Sequence, residues 1–178
     1  MKNVFLLLTA CVLCFTTVTA QQWEKYKAED LQFVAYYPQT PRRTVQKVPI
    51  PSGELDMHLV MYSPKLGDDN AIYSVVRSDY PKSQFENADK EYNDKILANV
   101  VNVAVSNVQG RLIFENKIEF NGYPGRSIKV QAQGKFFYLN AYLVENTIFI
   151  TQVVCMAEKD KNASIQRFLD SFEIIKTK

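Results

Sequence analysis

Short runs of alternating apolar and polar residues occupy the chain from residue 23 to residue 80. Alternation with a period of two is typical of strands that bury one face. The runs are separated by the segments PQTPRR, PIPSGE and PKLGDDN, in which proline fixes φ and glycine supplies turn geometry. The pattern predicts five strands: Trp23–Lys27, Leu31–Tyr37, Thr44–Val48, Leu55–Tyr62 and Ile72–Tyr80.

The apolar spacing changes to three or four residues after residue 82. Ser83 and Glu86 have the spacing of a capping box, in which both side chains bind backbone N–H groups at the start of a helix. The apolar positions that follow fit one face of a long amphipathic helix: Phe85, Ala88, Tyr92, Ile96, Val100 and Val103. Its valine-rich second half also alternates like a strand, and β-branched side chains lose χ1 freedom in a helix. We expect the helix to end near Val105.

Four more strands and a second helix are predicted beyond residue 110. The strand-like runs are Arg111–Phe120, Ser127–Ala132, Phe136–Val144 and Thr147–Met156. A terminal helix from about Lys161 to Ser171 places Ile165, Phe168, Leu169 and Phe172 on one stripe that can pack on the sheet. The order of elements predicts an α+β sandwich around a mostly antiparallel sheet, with one long central helix and a C-terminal helix.

The predicted strand Phe136–Val144 has two different faces. One is wholly apolar and is expected to point into the core: Phe137, Leu139, Ala141 and Leu143. The opposite face carries Tyr138, Asn140 and Tyr142, and tyrosine has an apolar ring with a hydroxyl that needs water or a partner. We expect this second face to lie beneath a helix or to contact a partner, which makes Tyr138 and Tyr142 candidate binding residues.

The first twenty residues have the three parts of a secretory signal peptide. Lys2 supplies the positive charge, the apolar run extends from Val4 to Phe15, and small residues end at Ala20. A membrane-spanning helix needs about 18 to 20 consecutive apolar residues, and this run is shorter. We expect cleavage after Ala20, a periplasmic or extracellular product, and no stable membrane insertion afterwards. An alternative is lipidation at Cys11, although the preceding leader would be short.

The remaining residues, 21–178, suit a single domain with an ordinary core. Cys11 and Cys14 have a redox or zinc spacing but fall within the leader, so Cys155 is the one cysteine left and no internal disulfide is available. The mature chain keeps all 19 acidic residues and loses only Lys2 from the 21 basic ones. Its near-neutral charge argues against nucleic acid or an acidic membrane surface as the main partner.

The segment NGYPGR, residues 121–126, raises the question of a ligand-binding loop. Asparagine and the glycines tolerate positive φ and Pro124 fixes one turn position, as a connection between antiparallel strands requires. A phosphate-binding loop would lead into a helix N-terminus, whereas a strand follows here. We interpret the segment as a turn. Tyr123 and Arg126 are candidate binding residues if they project beside it, because both residue types are enriched at binding hot spots.

Few residues in the sequence suggest catalysis or metal binding. His58 is the only histidine, so it cannot supply the usual ligands of a catalytic zinc. A nucleophilic pair with Cys155 would require the fold to join residues about a hundred positions apart. Asp68-Asp69-Asn70 lacks the ligand spacing of an EF-hand. We interpret His58 as a surface or packed strand residue, Cys155 as a buried small hydrophobe and the acidic segment as a turn. No catalytic residue, metal site or cofactor is predicted.

The order of elements, the opening LQFVAYYPQTP, the NGYPGR turn and the closing RFLDSFEI together resemble the PsbP-like family. The resemblance covers nearly all of the chain from Trp23 to Ile174. It implies an α/β/α sandwich. It also implies an extrinsic, non-enzymatic binding or stabilising role, although no motif indicates a particular partner.

Three functions remain open from the sequence. The first is an exported, non-enzymatic binding or accessory module that contacts a protein through the sheet or a strand edge. The second is a carrier of a small apolar or carbohydrate ligand in a pocket between sheet and helix. The third is an enzyme with an unrecognised site. An exposed tyrosine patch would favour the first, an apolar pocket the second, and a cleft with His58 or acidic side chains the third.

Overall fold

A computed structural model describes residues 22–50, 53–65 and 67–175 of the chain. The predicted signal peptide, the alternative lipidation site at Cys11 and the predicted cleavage point lie outside these ranges. The strands are β1 (Glu24–Ala28), β2 (Phe33–Tyr37), β3 (Arg42–Ile50), β4 (Gly53–Tyr62), β5 (Asn70–Asp79), β6 (Arg111–Phe120), β7 (Tyr123–Ala132), β8 (Lys135–Val144), β9 (Thr147–Met156) and β10 (Glu173–Ile174). The helices are α1 (Lys90–Asn107) and α2 (Ala163–Asp170), and two short 3₁₀ helices cover Lys82–Gln84 and Ala157–Lys159.

The strands form two antiparallel sheets. Seven of them are arranged in the order β3-β4-β5-β9-β8-β7-β6, so β3 and β6 are the two edges of the larger sheet. The smaller sheet has the order β1-β2-β10. Most neighbours in the larger sheet are joined by hairpins, but β9 lies between β5 and β8 and pairs with both. This insertion joins the first and second halves of the chain in one sheet.

The two faces of the larger sheet are covered by different elements. On the first, called here the α1 face, Leu97 and Val101 of α1 pack against apolar residues of β7 and β8, including Leu139 and Ala141. On the second, the α2 face, Phe168 of α2 and the smaller sheet pack against the centre of the larger sheet, in the largest buried cluster of the described chain. Alternation along each strand therefore divides its side chains between two separate cores.

Helix α1 begins later than the sequence predicts. Ser83 lies in a 3₁₀ helix, and the residue that caps α1 is Asp89, whose carboxylate accepts a hydrogen bond from the Tyr92 backbone N–H at 2.7 Å. The predicted capping box of Ser83 and Glu86 is wrong. The reason is packing, because the Phe85 ring lies edge-on to both Tyr80 and Tyr92, which folds the segment before residue 89 back instead of extending the helix. The helix ends at Asn107, close to the expected Val105.

The predicted α+β class with mostly antiparallel strands is confirmed. The described chain has one strand that the sequence did not predict, β10, which pairs with β2. The sequence pattern also did not show that β1, β2 and β10 form a sheet separate from the larger one. The predicted sandwich has a single sheet between helices, whereas in the structure the three-stranded sheet and α2 together cover one face of the larger sheet. Within the described ranges, neither helix is long and apolar enough to cross a membrane.

Candidate ligand-binding groove

A groove opens on the α1 face because α1 covers only part of the seven-stranded sheet. The helix packs against β7 and β8, and β3, β4 and β5 continue the same face beyond it. The space between the helix and these strands has a volume of about 380 Å³. Its position between a helix and a sheet matches the second function that the sequence left open.

Strand alternation supplies the apolar floor and helical spacing supplies the wall. Val76, Ile148 and Ile150 point from β5 and β9 into the groove. The wall consists of an α1 residue, the residues three and four positions after it, and the residue that caps the end of the helix: Val100, Val103, Ala104 and Val108. Residues on the same side of a helix recur at this spacing, and alternate residues of a strand share one face. The groove is thus built by the same two patterns that predicted the elements.

The β3–β4 hairpin closes one end of the groove. β4 pairs with β3 from Gly53 onward but with β5 only from Met57 onward, so the β3–β4 pair extends past the end of β5. Its apolar residues contribute to the lining: Val48, Ile50, Leu55 and Met57. Leu55 is 7% exposed although it lies in this overhang. The hairpin therefore packs toward the groove.

The polar residues in the lining are all uncharged: Ser78, Tyr80, Asn99, Asn107 and Gln152. Gln152 lies on the floor in β9, beside Ser74 of β5 and Leu139 of β8. It is half-buried, and its side-chain amide has no hydrogen-bond partner in the described part of the chain. A concave, mainly apolar surface with a few polar groups is the usual form of a small-molecule site, and such sites typically measure about 300 to 1,000 Å³.

The predicted tyrosine face of β8 belongs to the α2 face of the larger sheet, where Tyr142 is buried and Tyr138 is half-buried. Tyr142 is 5% exposed and stacks on Phe172, with ring centroids 5.7 Å apart and an angle of 2° between the planes. The Tyr138 hydroxyl donates a hydrogen bond to Oδ1 of Asp160 at 2.5 Å. Phe172 and Asp160 lie just after and just before α2, so the segments that flank this helix contact the face. A binding role for Tyr138 or Tyr142 remains a prediction.

Arg126 is not the exposed cation that the turn suggested, since its side chain is only 4% exposed. Its Nε donates to Oε1 of Glu115 at 3.0 Å and its Nη2 donates to Oδ1 of Asp94. β7 already begins at Tyr123, and alternation then places Arg126 on the α1 face beneath the first turns of α1. Hydrogen bonds from Arg126 and Lys117 lower the pKa of Asp94 to about 2. Arg126 thus ties α1 to the sheet, and Tyr123 stays partly exposed.

The two glycines of the NGYPGR segment have different structural roles. Gly122 has a φ of +85° and Asn121 a φ of +53°, so these two residues form the hairpin turn between β6 and β7. Gly125 lies inside β7 without a positive φ, contrary to expectation. A Cβ atom there would lie 2.5 Å from the Ala141 carbonyl oxygen and 2.8 Å from Cδ1 of Tyr142. Gly125 is therefore required by the close approach of β8.

Cys155 and His58 are kept apart by the register of the sheet. Cys155 is opposite Asn70 of β5, whereas His58 is opposite Arg77, which pairs with Phe149 of β9. Six residues along β9 correspond to roughly 20 Å. Burial, followed by the nearby Asp160 carboxylate, raises the pKa of the Cys155 thiol. The predicted burial of Cys155 is confirmed, and the two side chains do not form a catalytic pair.

The Asp68-Asp69-Asn70 segment is held by hydrogen bonds within the protein. Asp68 Oδ1 accepts from the Asn70 backbone N–H at 2.8 Å and from the Tyr73 hydroxyl at 3.0 Å. Asp69 pairs with Lys159. In the described part of the chain, no group of three or more histidine, cysteine, aspartate or glutamate side chains is arranged to hold a metal ion.

Lys129 is a buried charged residue that sequence reasoning missed. It is 6% exposed, and its Nζ contacts both carboxylate oxygens of Asp160 at 2.8 Å. Burial lowers the pKa of Lys129, but hydrogen bonds to Asp160 and Tyr138 offset this effect and raise it overall. This pair holds the segment before α2 against β7 and β8. The lysine occurs within the alternating pattern of β7, so no local sequence signal separates it from a surface lysine.

The sequence pattern also did not identify the groove residues as a ligand-binding site. Their alternation identified them as core positions, and the sequence could not show that α1 leaves β3, β4 and β5 uncovered on this face. Only the strand order places β9 between β5 and β8 and so brings Gln152 to the centre of the floor.

The fold is similar to the solution structure of the cyanobacterial PsbP protein CyanoP from Synechocystis sp. PCC 6803. The two chains are 12% identical, the alignment covers 89% of this chain and 95% of that chain, and the TM-score is 0.54. A Pseudomonas aeruginosa protein of unknown function, PA94, is 14% identical over 77% of this chain and 85% of that chain, with a TM-score of 0.40. No protein-family model and no curated protein matches the sequence. The chain has a PsbP-like fold, as the sequence resemblance indicated.

Proposed function

We propose that this chain is a non-enzymatic binding module that holds a small, mainly apolar molecule in the groove between α1 and the seven-stranded sheet. The observation that carries the proposal is the groove itself, which has a volume of about 380 Å³ and no charged residue among its described lining residues. This volume lies within the usual range for small-molecule sites. Burial of apolar ligand surface against such a lining would supply the affinity.

The character of the lining supports a binding role over a catalytic one. General acid–base and nucleophilic catalysis use carboxylates, imidazoles, thiols, amines or activated hydroxyls within reach of the substrate. The described lining contains neither the single histidine nor the buried cysteine, and its hydroxyl groups belong to Ser78 and Tyr80. Neither hydroxyl has a basic side chain beside it in the groove.

A fluorescent hydrocarbon, diphenylhexatriene, tests this function because it emits strongly only in an apolar environment. We expect the chain to bind the probe in a saturable manner. Val103 is 48% exposed at the rim of the groove, so Val103→Glu adds a charge there with little effect on packing. It should weaken probe binding about tenfold. Asn102→Glu is the matched control, because Asn102 is exposed and is absent from the groove lining.

Thermal melting of both variants would establish that each remains folded. An absence of saturable probe binding by the unmodified chain would reject the proposed function. Equal weakening by Val103→Glu and Asn102→Glu would show that the probe binds elsewhere.

We also propose that the module acts outside the cytoplasm, because the charged, apolar and small-residue parts of residues 1–20 have the pattern of a signal peptide. N-terminal sequencing of protein from the native cell envelope or medium would test this proposal. Native protein that keeps residues 1–20 would contradict it, whereas a lipid-modified N-terminus at Cys11 would contradict only cleavage after Ala20, because a lipoprotein is also exported.

A second candidate function is contact with another protein through the edge strand β6. Leu112, Ile113 and Phe114 are between 36% and 41% exposed on this edge of the larger sheet. An exposed apolar edge strand can pair with an added strand. The occupant we propose is β6 of a second copy. Antiparallel alignment centred on Asn116 would place Glu115 opposite Lys117 twice and Phe114 opposite Ile118 twice, which pairs opposite charges and apolar side chains.

Sedimentation velocity over a range of concentrations tests the second candidate. Phe114→Lys should convert a dimer into a monomer, because it places a charge opposite Ile118. Val45→Lys is the control, since Val45 is 51% exposed on β3 at the opposite edge. A chain that is monomeric at all concentrations, or equal effects of the two changes, would reject pairing through β6.

A further inference from the structure

We infer that the ligand of the groove is an uncharged amphiphile whose polar end, a hydroxyl or a primary amide, binds the side-chain amide of Gln152. This inference rests on the proposed function and extends it from an apolar ligand to a ligand class. It depends on three features of the groove: the unpaired amide, the uncharged lining, and the apolar path that leads away from the amide.

Gln152 is the polar residue that β9 contributes to a floor that is apolar apart from Ser78, which lies opposite Ile148 on β5. Leu139 lies beside it on β8, and Ile150 is two residues away on the same face of β9. Its amide carries two donors and an acceptor, none of which bonds to a described residue. A wholly apolar ligand that covered this amide would remove its water and leave the donors and acceptor unpaired, which opposes binding. A ligand with a hydroxyl or amide at this position would replace that water.

The lining excludes a charged polar end. A carboxylate, phosphate or ammonium group that enters an apolar groove loses its hydration, and this loss is recovered only by a paired opposite charge. The described lining offers no such charge. The polar side chains that α1 itself contributes, Asn99 and Asn107, are likewise neutral donors and acceptors. An uncharged polar end is therefore the one that the groove can satisfy.

The apolar part of the ligand is expected to lie along β9. Gln152, Ile150 and Ile148 share one face of the strand and all line the groove. Four residues of a strand span roughly 13 Å, so the floor continues as an apolar track over that distance from the amide. Val76 of β5 lies directly beside Ile150 and widens the track. This shape fits a single extended hydrocarbon chain of medium length.

Competition against bound diphenylhexatriene tests the ligand class with compounds that share one hydrocarbon chain. Decan-1-ol and decanamide should displace the hydrocarbon probe at concentrations at least tenfold lower than decanoate or decyltrimethylammonium, all below their micelle concentrations. Equal or better displacement by either charged compound would overturn the inference. Failure of the probe itself to bind would instead reject the proposed function, so the two failures can be distinguished.

Substitution of Gln152 tests the contact directly. Gln152→Leu should weaken decan-1-ol binding about fivefold to tenfold and leave direct binding of diphenylhexatriene undiminished, because the probe forms no hydrogen bonds. Gln131→Leu is the matched control, since Gln131 lies on β7 and accepts a hydrogen bond from Arg111 instead of facing the groove. Unchanged decan-1-ol binding by folded Gln152→Leu would overturn the inference.

A second substitution of Gln152 is expected to change which compound binds more tightly, instead of only weakening binding. Gln152→Glu places a carboxylate on the floor, and its coulombic attraction for the quaternary ammonium should raise the affinity for decyltrimethylammonium at least tenfold relative to decan-1-ol. Thermal melting would verify that the variant is folded. An unchanged order of the two compounds would show that residue 152 does not contact the polar end of the ligand.

Discussion

Replacement of Gly125 by alanine tests whether this glycine is required by the close approach of two strands. In the structure, a Cβ atom at residue 125 would lie 2.5 Å from the Ala141 carbonyl oxygen, whereas ordinary contacts begin at 3.4 Å. The backbones of β7 and β8 would have to separate by nearly an ångström at this point. The atom that is approached belongs to the backbone, so no side-chain rotation can relieve the contact.

Overpacking of this kind typically costs about 1 to 3 kcal/mol, and a clash with backbone belongs at the upper end of that range. Alanine also lowers the conformational entropy of the unfolded chain, which offsets about 0.4 to 1 kcal/mol. The net loss in the free energy of unfolding should be about 2 kcal/mol. For a domain of this size, such a loss corresponds to a decrease in Tm of about 4 to 8 °C.

Gly122 provides the comparison because a side chain at this position would meet no neighbouring atoms. No atom lies within 4 Å of a Cβ at residue 122, and the cost of alanine arises from its φ of +85°. A left-handed alanine costs about 1 to 2 kcal/mol, less the same entropic offset, which leaves about 1 kcal/mol. Asparagine adopts this conformation more readily, so Gly122→Asn should restore most of the stability, whereas Gly125→Asn should not.

Thermal and urea unfolding followed by circular dichroism would measure all four variants. A Tm for Gly125→Ala within 1 °C of the unmodified chain would refute the argument from close approach. Equal destabilisation by Gly122→Ala and Gly122→Asn would refute the argument from positive φ.

Four further predictions concern the charged, thiol and terminal groups. Arg126→Met should lower the free energy of unfolding by about 1 to 3 kcal/mol in urea titrations, because two carboxylates lose charge-assisted hydrogen bonds; a loss under 0.5 kcal/mol would contradict the structure. Asp94 has a pKa lowered from 3.8 to about 2, so its stabilising contribution is complete above pH 3.8 and is lost as the pH falls toward 2. Asp94→Asn should therefore flatten the pH dependence of the urea midpoint in that window, and an unchanged slope would count against the pairing. Cys155 should react slowly with a thiol reagent in folded protein and rapidly after denaturation, because it is fully buried and its pKa is raised. Native protein should begin at Gln21, which mass spectrometry of its N-terminal peptide would determine.

Local patterns predicted most of the elements because their signals act over a few residues. Alternation identified β1 to β9 but not the two-residue β10, and the stripe of Ile165, Phe168 and Leu169 identified α2, whose three residues are all buried. The start of α1 was wrong because Ser83 and Asp89 are both good capping residues. The choice between them depended on the packing of Phe85, which the sequence does not display.

The candidate site could not be predicted at the level of residues. Arg126 was a candidate binding residue on the condition that it projects beside the turn, but alternation through β7 places it under α1, where it pairs with two carboxylates. The face that carries Tyr142 was expected to lie beneath a helix or to contact a partner, and in the structure Phe172 stacks on Tyr142. In each case the deciding neighbour lies on another element.

The sequence by itself determined the α+β class, the Asn121–Gly122 turn and the burial of Cys155, because period, turn chemistry and hydrophobicity are local properties of a chain. Only the tertiary structure decided which face of the sheet each helix covers and where a face stays open. The insertion of β9 between β5 and β8 brings Gln152 of β9 beside Leu139 of β8 on the face that α1 partly covers. The groove therefore depends on pairing between strands that are far apart in the sequence. Residues 74 and 152 lie opposite each other on β5 and β9, and no local sequence pattern predicts this pairing.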